Sequence, residues 1–139
     1  MPALRPAANA KPLDEKITIN LGFVDLGQID LLVQEGFYAN RSDLIRTAIR
    51  NQIASHAESV RQAVGRRTLV LGIQHLSVAD LEAVKTRGEA LDMRVLGLLT
   101  IAADVTPELA RQTLRSLVVL GSLHASAAVK AALADRMTP

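Results

Sequence analysis

The chain contains no cysteine and few aromatic residues: one tyrosine, two phenylalanines and no tryptophan among its 139 residues. The absence of cysteine excludes disulfides, thiolate metal sites and cysteine nucleophiles. Apolar residues nevertheless make up 49% of the chain, so its core must be built mainly from Leu, Val, Ile and Ala. The length fits one ordinary domain or two small ones.

Long apolar runs and a targeting signal are also missing. No stretch approaches the roughly 18 consecutive apolar residues of a membrane span. The first twelve residues lack an apolar signal core and contain Pro2, Pro6 and Pro12. The sequence therefore predicts a cytoplasmic protein without membrane contact, which begins with a flexible arm over residues 1–13.

Neither positive nor negative charge is in large excess, since the formal net charge is only +2. Bulk charge therefore does not indicate a nucleic-acid partner, and any such prediction depends on where particular basic groups lie. The local excess is at Arg61, Arg66 and Arg67. These arginines suit a basic linker that contacts DNA and a solvated hinge equally well.

Residues 14–21 alternate between apolar and polar side chains. Ile17, Ile19 and Leu21 fall on one face, and Lys16, Thr18 and Asn20 fall on the other. A period of two with β-branched residues predicts a β-strand with one buried face. Gly22 ends this strand.

Two amphipathic helices are predicted next. Leu26, Ile29, Leu32 and Val33 share one face of the first, and Gly36 is placed as its C-cap. Asn40 is placed as the N-cap of the second, with Asp43 three positions further on. An apolar stripe then predicts an extended helix through Val64 that stops at Gly65. The stripe contains Leu44, Ile45, Ala48, Ile49 and Ile53.

A single strand of this length is not stable without a partner. Two chains can stabilise each other if their strands pair antiparallel and cover a core of four helices, two from each chain. The predicted dimer core consists of Ile17, Ile19, Leu21, Ile29, Leu44, Ile45 and Ile49.

The polar face of such a ribbon suits the major groove of double-stranded DNA, which admits two β-strands. Lys16 can donate to guanine, Asn20 can make a paired contact with adenine, and Thr18 can contact thymine or a neighbouring base edge. The N-terminus of the second helix can bind a phosphate with Asn40, Arg41 and Ser42. Arg5 and Lys11 in the arm are candidate contacts to the DNA backbone.

The same residues resemble a known family. Residues 16–21 (Lys-Ile-Thr-Ile-Asn-Leu), the amphipathic helix, Gly36 and residues 40–50 are similar to the ribbon-helix-helix (MetJ/Arc/CopG) family over residues 14–56. The resemblance implies a DNA-binding transcriptional regulator. Its base-reading strand positions correspond to Lys16, Thr18 and Asn20, and its phosphate-contacting turn corresponds to Asn40, Arg41 and Ser42.

The second half contains a repeat. Val70-Leu71-Gly72 recurs at residues 95–97 and 119–121, with spacings of 25 and 24 residues, and each copy precedes a helix-like stretch (78–87, 107–117 and 127–137). This pattern predicts β-α-β-α-β-α with a parallel sheet. The predicted fold class is α+β, with a ribbon-helix-helix dimerising domain over residues 14–64 and a small β-α repeat domain over residues 66–139.

Residues 66–139 suit either an assembly module or a regulatory module that senses a ligand. A ribbon-helix-helix head with an α/β domain resembles the nickel-responsive regulators, but this sequence does not supply their His and Cys ligands. Assembly is therefore the preferred interpretation, because open sheet edges invite pairing with another copy and joined heads bind DNA more tightly. We expect no metal and no cofactor, since His56, His75 and His124 have no ligand partner at short spacing.

The leading functional prediction is a sequence-specific repressor associated with the nucleoid. The alternatives are an antitoxin and a DNA-coating architectural or partition protein. An antitoxin tail is often polar and disordered before it binds its toxin, whereas residues 67–139 are apolar and regular. Catalysis is not expected: His75, Ser77 and Asp80 contain the residue types of a hydrolase triad, but closeness in sequence is poor evidence for one.

Overall fold

The computed structural model describes residues 13–138. This part of the chain forms two compact units, one ending at Ala57 and the other beginning at Glu58. Arg5 and Lys11, which are predicted to contact the DNA backbone, lie outside the described residues. None of the described helices is long and apolar enough to cross a membrane.

The first unit contains helices α1 (Phe23–Gln34) and α2 (Arg41–Ser55). Gly36 follows α1 with a φ of 84°, and the amides of Gly36 and Phe37 donate to the carbonyls of Val33 and Leu32. This paired arrangement is a Schellman motif, so the predicted role of Gly36 as a C-cap is confirmed. The Asn40 side chain accepts a hydrogen bond from the Asp43 amide, as predicted for an N-cap.

The second helix is shorter than the sequence predicts. It ends at Ser55, and a separate helix, α3 (Ala57–Arg67), follows and runs through Gly65. The His56 amide bonds the Ile53 carbonyl at 3.0 Å, and the Ser55 hydroxyl donates to the Gln52 carbonyl at 2.6 Å. Both bonds reach three residues back instead of four, which tightens the last turn and ends the helix.

The second unit continues with three strands that alternate with three helices. In chain order they are β1 (Val70–Leu76), α4 (Val78–Thr86), β2 (Leu91–Ile101), α5 (Pro107–Thr113), β3 (Leu114–His124) and α6 (Ala127–Leu133). The strands form a parallel sheet in the order β1-β2-β3. The predicted alternation and the parallel sheet are therefore confirmed. Helix α5 is shorter than predicted, because β3 already begins at Leu114.

A hydroxyl side chain begins each helix that follows a strand. Ser77, Thr106 and Ser126 each accept a hydrogen bond from the amide three residues further on. Pro107 occupies the first turn of α5, where its missing amide proton costs no hydrogen bond. The predicted caps at Ser77 and Thr106 are confirmed.

The core of the second unit lies between the sheet and its helices. Val95 and Leu99 of β2 and Leu117 of β3 are fully buried there. They meet apolar side chains from all three helices, chiefly Leu81, Leu109, Val129 and Leu133. Since strand side chains alternate between faces, Leu71, Ile73, Leu96 and Leu98 belong to the other face of the sheet.

The repeated glycines stand side by side across the sheet. Gly72 pairs with Gly97, and Gly97 pairs with Gly121. All three have positive φ, at 134°, 138° and 120°. A Cβ atom on Gly97 would lie 2.2 Å from the Gly72 carbonyl oxygen, and one on Gly121 would lie 2.0 Å from that of Gly97. At Gly97 and Gly121 the neighbouring backbone therefore leaves no room for a side chain, whereas the space at Gly72 is open.

Candidate nucleic-acid interface

The segment that carries the predicted base-reading residues is exposed along its whole length. Lys16, Thr18 and Asn20 lie in a stretch that is neither helix nor strand and has no hydrogen-bonded ladder in the single chain. Ile17 and Ile19 are also exposed, at 73% and 56%. A strand needs a neighbour to form its ladder, so the strand over residues 14–21 stays a prediction about two chains.

The first unit has no interior of its own. No residue of α1 or α2 is buried, and Phe23 is 91% exposed. Of the predicted dimer core, Ile29, Leu44 and Ile45 are half-buried, whereas Ile17, Ile19, Leu21 and Ile49 remain exposed. Exposed apolar residues on this scale indicate a surface that another chain covers.

The three predicted phosphate contacts are brought together at the N-terminus of α2. The Asn40 side chain caps the helix by accepting from the Asp43 amide at 2.8 Å, and the Asp43 carboxylate accepts from the Ala39 amide at 2.9 Å. The amides of Arg41 and Ser42 lie in the first turn, where helix geometry provides no intrahelical acceptor. These two amides and the exposed Ser42 hydroxyl are hydrogen-bond donors at a helix N-terminus, the kind of group that binds anions in proteins.

The Arg41 side chain has a partner within the chain, which the sequence did not predict. Its Nε and Nη2 donate to the two carboxylate oxygens of Asp30 on α1, at 2.7 and 2.8 Å. These hydrogen bonds hold the pKa of Asp30 below its ordinary value and raise the pKa of Arg41. The carboxylate of Asp30 and the guanidinium of the first residue of α2 are therefore paired with each other.

Further basic side chains lie on α2 and α3. Arg46 and Arg50 are exposed on α2, one turn apart. In α3, Arg61 is paired with Glu58, with Nη1 and Oε2 2.6 Å apart. Arg66 and Arg67 form the basic last turn of α3.

Two of the three histidines, His75 and His124, and the Ser77 region lie in the second unit. His75, Thr100 and His124 stand in one row across the sheet, with His75 Nδ1 and Thr100 Oγ1 2.6 Å apart. Ser77 and Asp80 exchange hydrogen bonds as a capping box at the start of α4. No cluster of three or more metal-ligating side chains occurs within residues 13–138.

Exposed apolar side chains on α1 and α2, together with an alternating segment that has no strand partner in the single chain, are typical of proteins that complete their fold with a second chain. The sequence model of the Ribbon-Helix-Helix transcriptional regulator family matches residues 12–130, and the chain belongs to this family. The family is one of DNA-binding transcriptional regulators, and its members usually dimerise and are typically not enzymes. Neither a curated protein nor a solved structure matches the chain.

The family match extends further along the chain than the resemblance seen in the sequence. The strand and second-helix motifs cover residues 14–56, whereas the family match continues through α3, all three strands and part of α6. The family model therefore covers most of the second unit as well as the helices of the first unit.

Proposed function

We propose that the protein is a sequence-specific repressor that binds nucleoid DNA in the cytoplasm as a homodimer. Two copies of residues 14–21 form an antiparallel ribbon that enters the major groove. The observation that carries this proposal is the absence of any buried residue in α1 and α2 of the single chain. A second copy supplies the missing interior, and its strand completes the ribbon.

In this proposal the polar side of the ribbon contacts the bases. When Ile17 and Ile19 turn towards the helices of the dimer, the alternation directs Lys16, Thr18 and Asn20 towards the groove. Their side chains provide a cation for guanine, a methyl and hydroxyl for thymine, and an amide for adenine. A two-fold axis presents each contact twice, so a palindromic or tandem operator is expected.

Phosphate binding falls to the start of α2. Since the Asn40 side chain satisfies the Asp43 amide, the amides of Arg41 and Ser42 are the donors that face an incoming phosphate. The Arg41 guanidinium is already bound to Asp30. In the proposed complex Asn40 therefore shapes the site, Ser42 adds its hydroxyl, and Arg41 contributes through its backbone.

The folded second unit favours a repressor over an antitoxin. An antitoxin segment that orders only on its toxin is expected to lack a core of its own, whereas this unit buries side chains from all three strands and from α4, α5 and α6. A DNA-coating protein would give a footprint that spreads over many consecutive repeats. A repressor is expected to protect one or two half-sites.

Binding to an operator selected from random duplexes tests the proposal. Lys16→Ala and Asn20→Ala should each weaken specific binding by about 1–3 kcal/mol at fixed salt and leave non-specific binding much less changed. Lys85→Ala, which removes a basic side chain from α4, is the matched control and should bind like the parent. Parent-like operator affinity in both strand variants would show that this segment does not read bases.

A further inference from the structure

The two edges of the sheet differ in how they are protected. At the β3 edge, Met137 forms a bridge with Leu117, the Thr138 amide donates to the Leu117 carbonyl at 3.0 Å, and an Arg136 Nη1 proton reaches the Leu114 carbonyl at 2.6 Å. The chain thus covers the beginning of this edge itself. Within residues 13–138, β1 pairs with β2 alone, so its outer edge is open.

The composition of β1 makes this open edge a pairing surface. Its sequence, Val-Leu-Gly-Ile-Gln-His-Leu, contains neither proline nor a lysine, arginine or acidic side chain. Three of its apolar residues are well exposed: Val70 at 48%, Leu71 at 69% and Ile73 at 62%. Edge strands that stay single are normally blunted by charge, proline or a bulge, and β1 has none of these in its register with β2.

The proposed dimer indicates which strand pairs with the open edge of β1. A protein whose two-helix unit requires two chains holds a second β1 strand at high effective concentration. Two β1 edges are identical and contain no lysine, arginine or acidic side chain, so no such charges oppose each other when they pair. Pairing β1 with the β3 edge of another copy would meet the covering residues Arg136–Thr138 and would build an open chain of subunits, whereas pairing β1 with β1 closes on itself.

We propose that β1 pairs edge to edge with β1 of a second copy of this chain. A two-fold axis through the contact makes the two strands antiparallel and joins two three-stranded sheets into one continuous sheet. The axis passes through Leu71 or Ile73, the two most exposed apolar residues of β1, so that one of them faces its own counterpart in the second copy. The outer backbone groups of β1 gain partners. This interface is separate from base readout by residues 14–21, so each can fail without the other.

The absence of cysteine makes a direct test available, because a single introduced cysteine can crosslink only to its own copy in another chain. Facing residues of antiparallel strands have Cα atoms about 4.5–5.5 Å apart, which suits a disulfide. We expect Ile73→Cys or Leu71→Cys, in the full chain under mild oxidation without DNA, to form a covalent dimer.

The matched control is Ser122→Cys. Ser122 stands in the same row of the sheet as Ile73, with Leu98 between them, but on the β3 side. Its crosslinked fraction should be at least about tenfold lower than that of the better β1 variant, because disulfide geometry requires close Cα atoms. Equal crosslinking at all three positions, or none at either β1 position, would overturn the proposal.

Hydrogen exchange provides a second readout that does not depend on the disulfide. Ile73→Lys places a charge on an exposed edge position, where it should block strand pairing with little effect on the core. We expect β1 amides to exchange at least about tenfold faster in this variant, while β2 amides stay protected. Equal exchange of β1 in parent and variant would contradict the proposal. Protection of β1 in the parent without any crosslink would do the same, since another segment would then occupy the edge.

Discussion

Arg41 at the start of α2 forms a two-point ion pair with Asp30 of α1, with Nε to Oδ1 at 2.7 Å and Nη2 to Oδ2 at 2.8 Å. The pair joins the two helices across the turn that contains Gly36. It also brings a negative charge to the side chain of Arg41, a residue whose amide we assign to a DNA phosphate. Asp30 therefore stabilises the arrangement of the helices and opposes the approach of an anion.

Asp30→Asn is expected to tighten DNA binding. The substitution removes the carboxylate and releases the Arg41 guanidinium, which can then contact a phosphate at the proposed site. One additional phosphate contact per chain should make the slope of log affinity against log salt steeper by about 0.9 per contact. Titrations of an operator duplex at several salt concentrations measure this slope. Glu35→Gln, which removes a negative charge at the end of the same helix, should change the slope less. An equal change would show that the effect comes from the loss of any negative charge and not from the release of Arg41.

Asn40→Asp separates helix capping from phosphate binding. Aspartate caps a helix about as well as asparagine, so the free energy of unfolding should change by less than about 0.5 kcal/mol. The new charge should repel a phosphate at the start of α2 and weaken DNA binding several-fold. Urea unfolding and a duplex titration measure the two effects. Ser77→Asp, the corresponding change at the cap of α4, should leave DNA affinity unchanged, and unchanged affinity in Asn40→Asp would place the phosphate elsewhere.

Alanine at the paired glycines should destabilise the second unit unequally. Gly72→Ala requires a positive φ but meets open space, so a cost of about 1–3 kcal/mol is expected from backbone strain. Gly97→Ala and Gly121→Ala add a collision with the neighbouring carbonyl and should cost about 1–3 kcal/mol more. Denaturant midpoints at constant m-value provide the comparison. Equal costs at all three positions would show that the strands separate easily at this level.

Asp92 should make stability depend on pH in the acidic range. The Arg115 guanidinium and the Ser116 hydroxyl donate to its carboxylate and lower its pKa from 3.8 to about 2. Because the pKa is lower in the folded chain, the stabilisation is complete above 3.8 and is lost as the pH falls towards 2. Asp92→Asn should therefore lose less stability than the parent across this window, as urea midpoints at a series of pH values would show.

Arg115→Gln provides the companion variant. It removes the strongest cause of the lowered pKa, so it should flatten the same part of the pH dependence while leaving the carboxylate in place. If both variants keep the slope of the parent, other carboxylates account for the acid sensitivity.

Local patterns were sufficient to predict most of the elements. Apolar side chains must share a face with a common interior, so their spacing alone distinguishes α1 and α2 from the strands. Caps are equally local, which explains why Gly36, Asn40, Ser77 and Thr106 were identified without a structure. The recurrence of Val-Leu-Gly was enough to predict a parallel sheet.

Features that depend on distances between remote residues were not predicted. Nothing in the sequence links Arg41 to Asp30 eleven positions away, because the contact exists only after the turn has formed. The helix end at Ser55 depends on two hydrogen bonds that reach three residues back along the chain. The apolar stripe does not indicate this end, because it continues past Ser55. The roles assigned to Lys16, Thr18 and Asn20 stay predictions, since their geometry arises only when two chains and DNA meet.

The aligned glycines determine where this fold tolerates change in length. The spacings of 25 and 24 residues already differ, and the irregular step in register falls at Leu91 and Asp92, at the beginning of β2. The shift in register thus occurs away from the glycine row, and the glycines stay aligned across the three strands. A protein engineer who wished to enlarge the sheet would keep this one level fixed and treat every connecting segment as adjustable.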